Sequence, residues 1–301
     1  RMIEAIQKIF RNIVQKFTSV KKRALALKAR VQDDPVDGES EGQTIQMNVS
    51  NLRIGDEELS KSVTGGLNLI LDVLVELLKN TRNVDDRAEV NKGVESIKES
   101  NVWADYVNNV NSHAKRTFDA ISHSDETTTA MLPGSRVIVF TEGQPNTRDQ
   151  FSYESFVNSK EGKENDQGKE ESVTALTSKE IIIACDNIAL ISDEIEKYDK
   201  VWARSSSKAA RLVQGINAAT KGDMAKLEAS EPEDEAGKEE KNSRITAFKI
   251  NVSALINHVR RLDKFSSDLI SYAQLTSNDA LAYGERSLEA IRTKTAEPKQ
   301  D

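Results

Sequence analysis

Ile3-Glu-Ala-Ile-Gln-Lys-Ile-Phe-Arg-Asn-Ile-Val-Gln-Lys-Phe-Thr-Ser-Val20 runs directly into Lys21-Lys-Arg-Ala-Leu-Ala-Leu-Lys-Ala-Arg30. Within it Ile6, Phe10, Ile13, Phe17, Val20, Ala24, Leu27 and Val31 recur at spacings of 4, 3, 4, 3, 4, 3 and 4. That rhythm holds one apolar stripe on one side of an α-helix, the heptad seam by which helices pack on helices. Ile3, Ile9 and Val14 widen the stripe at its start. The helix should stop at Asp33-Asp-Pro35, because the residue before a proline is sterically pushed out of the helical region.

The rest of the chain has the same character. Apolar residues make up 37% of 301 and aromatics 5%, with 30% charged. Long helices with narrow apolar stripes suit that mix better than a large spherical core. Residues 1–30 hold nine cationic side chains against Glu4, a net of +8. The remainder therefore carries −15 of a total of −7. A basic arm on an acidic body disfavours general nucleic-acid binding by the body, since phosphate neutralisation needs clustered cations.

Organisation follows from periodicity and breakers. Residues 1–33 read as a basic amphipathic arm, and 34–55 as an acidic linker with a short strand at Thr44-Ile-Gln-Met-Asn-Val49, where polar and apolar residues alternate. A first helix pair is expected over 56–130. Its first member, through Leu67–Leu78, is apolar nearly all round, and its second carries Trp103, Val107, Val110, Ala114, Phe118 and Ile121. A β-hairpin element is expected over 131–158, from Arg136-Val-Ile-Val-Phe-Thr141 and Gln150-Phe-Ser-Tyr-Glu-Ser-Phe156, with the strand near Ile45 as its third member. Residues 159–176 read as a mobile polar loop. Thr177-Ser-Lys-Glu180 has capping-box spacing and opens a second helix pair over 177–295, interrupted by an acidic linker at about 221–243. Residues 296–301 are a tail. Val102-Trp-Ala104 and Val201-Trp-Ala203 echo each other without a residue-by-residue repeat.

Catalytic signatures do not emerge. Phosphate-cradling and dinucleotide glycine motifs, His-Glu-x-x-His and Gly-x-Ser-x-Gly are all missing. Cys185 lies on an apolar helix face, where a small core side chain is expected and a nucleophile is not. Asp119 and His123 stand one turn apart, which is too few ligands for a metal site. No catalytic, cofactor-binding or metal-binding residue is assigned, and no cofactor is expected. No segment reaches the roughly 20 apolar residues of a membrane span, and no secretory signal is recognised.

Three uses compete for the arm. As a strand of a coiled coil or bundle it explains the strict seam and the small Ala24, with Ile6, Phe10, Ile13, Phe17, Val20 and Leu27 facing a partner helix. As an interfacial helix it explains the basic face opposite Ile and Phe. As a nucleic-acid arm it makes Lys21, Lys22, Arg23, Lys28 and Arg30 phosphate contacts. The seam's persistence through the basic run favours a protein partner, and a membrane- or nucleic-acid-associated adaptor is the alternative.

Phe17-Thr-Ser-Val-Lys-Lys-Arg-Ala-Leu-Ala-Leu-Lys-Ala-Arg-Val31, with the acidic linker and Asn/Ser-rich helical body behind it, resembles the internal head (inner core) proteins of large tailed bacteriophages, the myoviruses. The resemblance is specific over about 30 residues and compositional beyond them. It implies a non-enzymatic structural protein made in the host cytoplasm and packed in the capsid interior of the virion. Implied partners are other virion or scaffold proteins reached through the N-terminal helix, with self-association and weak DNA contact by the arm as further uses. It also implies trimming by a head protease at short small-x-Glu sequences, such as Ser152-Tyr-Glu154 and Ser287-Leu-Glu289, and Arg1 is compatible with such trimming. The expected fold is mainly α: an elongated bundle of long helices, a small β-hairpin or three-stranded element, and the amphipathic N-terminal helix.

Overall fold

The computed structural model describes residues 2–33, 43–78, 87–122, 127–158, 169–202, 206–232 and 234–296. Side chains are described for these apart from 2–17, 78, 87–88, 198–202, 206–210 and 294–296. Helix α1 is described over Met2–Asp33, and the expected stop before Pro35 lies outside the described residues. Strand β1 (Thr44–Met47) and α2 (Leu59–Val73) follow, and α2 continues into a π-helical turn, Leu74–Leu78. After α3 (Arg87–Ser96) and α4 (Ser100–Asp119) come β2 (Arg136–Thr141), β3 (Tyr153–Asn158) and β4 (Glu171–Thr174). Helices α5 (Ser178–Trp202), α6 (Ser206–Ala229) and α7 (Glu235–Ala296) complete a mainly α fold.

Two apolar cores share one helix. The larger joins the second half of α1, α2 with its π turn, α5, the C-terminal half of α7 and the strands, around Leu67, Ile70, Ile181, Ile188 and Leu269. The smaller joins α3, α4, α6 and the N-terminal part of α7, around Trp103, Val107, Ile216, Phe248 and Leu255. Helix α7 has 62 residues, about 93 Å at roughly 1.5 Å per residue, and supplies buried residues to both cores. The expected grouping into a first and a second helix pair is thus interleaved: α2 joins α1 and α5 in the larger core, whereas α3 packs with α4 and α6, and these three share the smaller core.

The β elements form two separate ribbons. Strands β2 and β3 are antiparallel, Arg136 opposite Asn158 through Thr141 opposite Tyr153, as the hairpin reading required. Strand β1 alternates exposed and buried as expected, with Ile45 and Met47 inward, but it is not a third member of that hairpin. It pairs with β4, Thr44 opposite Thr174 through Met47 opposite Glu171. Strand β4 lies within the stretch expected as a polar loop. Its buried Val173 and two clamps from α7 hold it: Tyr283 Oη donates to the Thr174 carbonyl, and Arg286 Nη1 donates to the Gln46 carbonyl at 2.5 Å.

Two helix boundaries differ from expectation for physical reasons. The expected single helix over the Trp103 stripe is broken at Ile97–Glu99, which lets α3 fold back on α4. Gly93 sits where an added Cβ would lie 2.9 Å from the Tyr106 ring, and Tyr106 Oη donates to the Glu89 carbonyl at 3.2 Å. Most of the acidic linker expected at about 221–243 lies in helices, since α6 runs to Ala229 and α7 starts at Glu235. Asp234 and Glu235 sit at the N-terminus of α7, where negative charge is favourable, and Asp234 Oδ1 accepts from Gly237 N at 2.7 Å. Lys241 in turn donates to the Glu228 and Ser230 carbonyls, both at 2.7 Å, capping α6. The predicted box at α5 forms in full: Thr177 N donates to Glu180 Oε2 at 2.8 Å and Glu180 N to Thr177 Oγ1 at 3.2 Å.

Candidate functional site: the basic helix and its groove

The second half of α1 lies in a groove between α5 and α7. Lys21 pairs with Asp193, and Lys28 with Asp186 at 2.6 Å, so α1 runs antiparallel to α5. Arg23 pairs with Glu285 at 2.9 Å, and the Arg30 carbonyl accepts from Arg292 Nη2 at 3.0 Å, so α1 runs parallel to α7. Val20, Ala24, Leu27 and Val31 are buried between these contacts. Small residues permit the close approach: an added Cβ on Gly284 would stand 3.1 Å from Leu27 Cδ2. Ion pairs this exposed each contribute about 0–1 kcal/mol. Their effect is to fix the register of a seam whose stability comes from burial.

The structure therefore divides the residues read as a partner face. Val20 and Leu27 face the chain's own core. Ile6, Phe10, Ile13 and Phe17 belong to α1, and their side chains lie outside the described residues. The residues read as phosphate contacts divide too. Lys21, Arg23 and Lys28 are engaged by carboxylates, while Lys22 and Arg30 are exposed. Sequence reasoning missed a feature of the outer face. Leu25 is 48% exposed, and the antiparallel register puts it level with Leu190 of α5, 51% exposed, between the Lys21 and Lys28 ion pairs. Leu190 also borders a surface groove of about 340 Å³ with Leu71, Val75 and Glu194. The available signal was that Leu25 and Leu190 are leucines lying off their helices' buried stripes.

Cys185 is buried, and burial, reinforced by Asp186, pushes its thiol up to about 12. Such a thiol stays protonated at neutral pH, so a thiol-reactive dye should label native protein at a small fraction of the rate seen in denaturant. Equal rates would contradict this burial. Asp119 pairs with Lys115 at 3.7 Å, and His123 lies outside the described residues. Among the described residues no three His, Cys, Asp or Glu side chains converge as metal ligands, and no helix is long and apolar enough to cross a membrane. Both short protease-like matches sit in folded elements. Glu154 lies in β3, and fully buried Ser287 accepts from Leu176 N at 2.9 Å.

The body is thus mainly helical and strung on one long helix, with interhelical ion pairs along the second half of α1. The chain belongs to the phiKZ-like phage internal head proteins, whose family profile matches residues 1–286. Comparison with curated proteins and with solved structures gives no match. The family resemblance first read from about 30 residues thus extends over nearly the whole chain. It gives the protein a structural role in the virion, in the capsid interior.

Proposed function

We propose that the protein enters the head by docking the first half of α1 onto another virion component, with Ile6, Phe10, Ile13 and Phe17 as the contact face. The observation that supports this reading is the division of one seam. Its second half anchors α1 in the groove between α5 and α7, and the same 4/3 spacing continues unbroken through residues 6–17 of the same helix. A rigid helix rooted in the body is suited to present such a face, because its docking orders few additional residues. Engagement of Lys21, Arg23 and Lys28 by carboxylates speaks for a protein partner over phosphates.

Truncation tests this at a boundary the fold dictates. Protein lacking residues 1–17 should keep its helical circular dichroism and remain folded, because the buried seam from Val20 onward is intact. It should fail to enter heads or to co-purify with head components. Normal incorporation of that folded truncation would refute the docking role. Removing residues 1–31 is the wrong comparison, since it also strips the core of Val20, Ala24, Leu27 and Val31.

A further inference from the structure

A cavity of about 30 Å³ lies where the two cores meet. Leu77 and Phe265 of the larger core and Val110 of the smaller one line it, together with His113 of α4, Glu154 of β3 and His258 of α7. His258 is 5% exposed and stacks on Phe151 with centroids 4.4 Å apart. Its Nε2, and that of His113, are buried without a hydrogen-bond partner. Two orphaned imidazole nitrogens from facing helices on one cavity wall are uncommon, because each unmet polar atom costs about 1–3 kcal/mol. The space suits one or two waters.

We propose that this cavity is a buried proton-and-water site that ties the two cores together. Its ligand is an ordered water. The Glu154 carboxyl O–H donates to that water, which donates in turn to Nε2 of His113 and Nε2 of His258. Each Nε2 then accepts a hydrogen bond from the water, so neither orphaned nitrogen is left unmet. Of the neighbouring hydroxyls, Thr117 Oγ1 donates to the His113 carbonyl at 3.0 Å, and Ser152 Oγ accepts from Gly143 N at 3.1 Å.

The electrostatics agree with this geometry. Burial pushes Glu154 up to about 7, and burial together with Arg261 pushes His258 down to about 3. Charged groups on the elements around the site include Arg260, Arg261, Asp263 and Lys264 on α7, Asp149 ahead of β3, Lys115, Arg116 and Asp119 on α4, and Glu76 in the π turn. Of these, Arg261 weighs on His258; it pairs with Asp149 at 2.7 Å and lies over the Tyr153 ring at 4.1 Å.

The two groups act in opposite directions. The neutral His258 contributes stability that is full above about pH 6.5 and is lost as pH falls toward 3. The neutral Glu154 contributes stability that is full below about pH 4.5 and is lost as pH rises through 7. Between 4.5 and 6.5 their slopes cancel in the native protein.

Denaturant unfolding of the full chain at several pH values tests the site. E154Q should expose the histidine slope, the folding equilibrium falling up to about tenfold per pH unit as pH drops below 6.5. H258Q should show the reverse, falling up to about tenfold per unit as pH rises from 4.5 to 7. Profiles of both variants parallel to the native one would overturn the proposal. If H258Q does not fold, an NMR titration of native protein decides: His258 neutral at pH 5 supports the site, and a charged His258 there overturns it. Crystallographic water density touching both Nε2 atoms is the direct expectation, and a dry cavity at high resolution would also overturn it.

Discussion

Leu27→Asp should leave the protein unable to hold its native fold, while Leu25→Asp, two residues away on the same helix, should change stability by about 0.5 kcal/mol or less. Leu27 is 2% exposed and packs at Gly284 beside Ile181. An aspartate there would place an unpaired charge in an apolar interior, which its environment must neutralise or expel. Even Leu27→Ala should reduce unfolding free energy by about 2–5 kcal/mol, a large part of the roughly 5–15 kcal/mol typical of a domain. Leu25 is 48% exposed and has no comparable burial. Thermal and denaturant melts of the three variants measure this. Equal losses for Leu25→Asp and Leu27→Asp would show that α1 does not sit in the α5/α7 groove in the register given by Lys21–Asp193 and Lys28–Asp186.

The second large effect belongs to the smaller core. Trp103→Ala should cost about 3–5 kcal/mol from lost volume, and more from the polar network it opens. The Trp103 indole donates to Gln150 Oε1 at 2.9 Å, and Gln150 Nε2 donates to Asn251 Oδ1 at 3.0 Å. Asn111 Nδ2 donates to the Gln150 carbonyl at 2.8 Å, while its Oδ1 accepts from Ser152 N at 2.8 Å. The ring also meets Phe151 edge-on at 5.8 Å. One substitution thus leaves a buried glutamine oxygen unmet at the contact between α4, the hairpin loop and α7. Hydrogen exchange should show amides of α4 and α6 losing protection first, with α2 and α5 keeping theirs. Uniform loss across both cores would mean that they unfold as one unit. Trp103→Phe should recover most of the packing and little of the network.

What could be read from the sequence was whatever repeats. The seam of α1 from Val20 to Val31, the capping box at Thr177, the hairpin and the burial of Cys185 and Trp103 each rest on local spacing or local chemistry, and each is present. Partners distant in sequence were not legible. Strand β4 offers only Val173 as an inward residue, and nothing in Glu171-Ser-Val-Thr174 announces a pairing with Thr44–Met47. The acidic stretch around Pro232 reads as a spacer by composition, yet its charge is what a helix N-terminus favours and its lysine closes the preceding helix. The basic residues of α1 read as free for phosphate because their carboxylate partners lie 158 to 262 positions further along. The cavity of His113, Glu154 and His258 joins three elements that no motif connects.

The groove that houses α1 has a consequence for the order in which the protein is made. Arg23 and Glu285 are separated by 262 positions. A ribosome adding about 5–20 residues per second needs roughly 13 to 52 s to cover that distance. Throughout that interval Val20, Ala24, Leu27 and Val31 are a synthesised apolar stripe without the C-terminal wall of their groove. The helix is therefore housed only after the far end of the chain has been made, and until then the stripe is open to a neighbour as well as to its own chain.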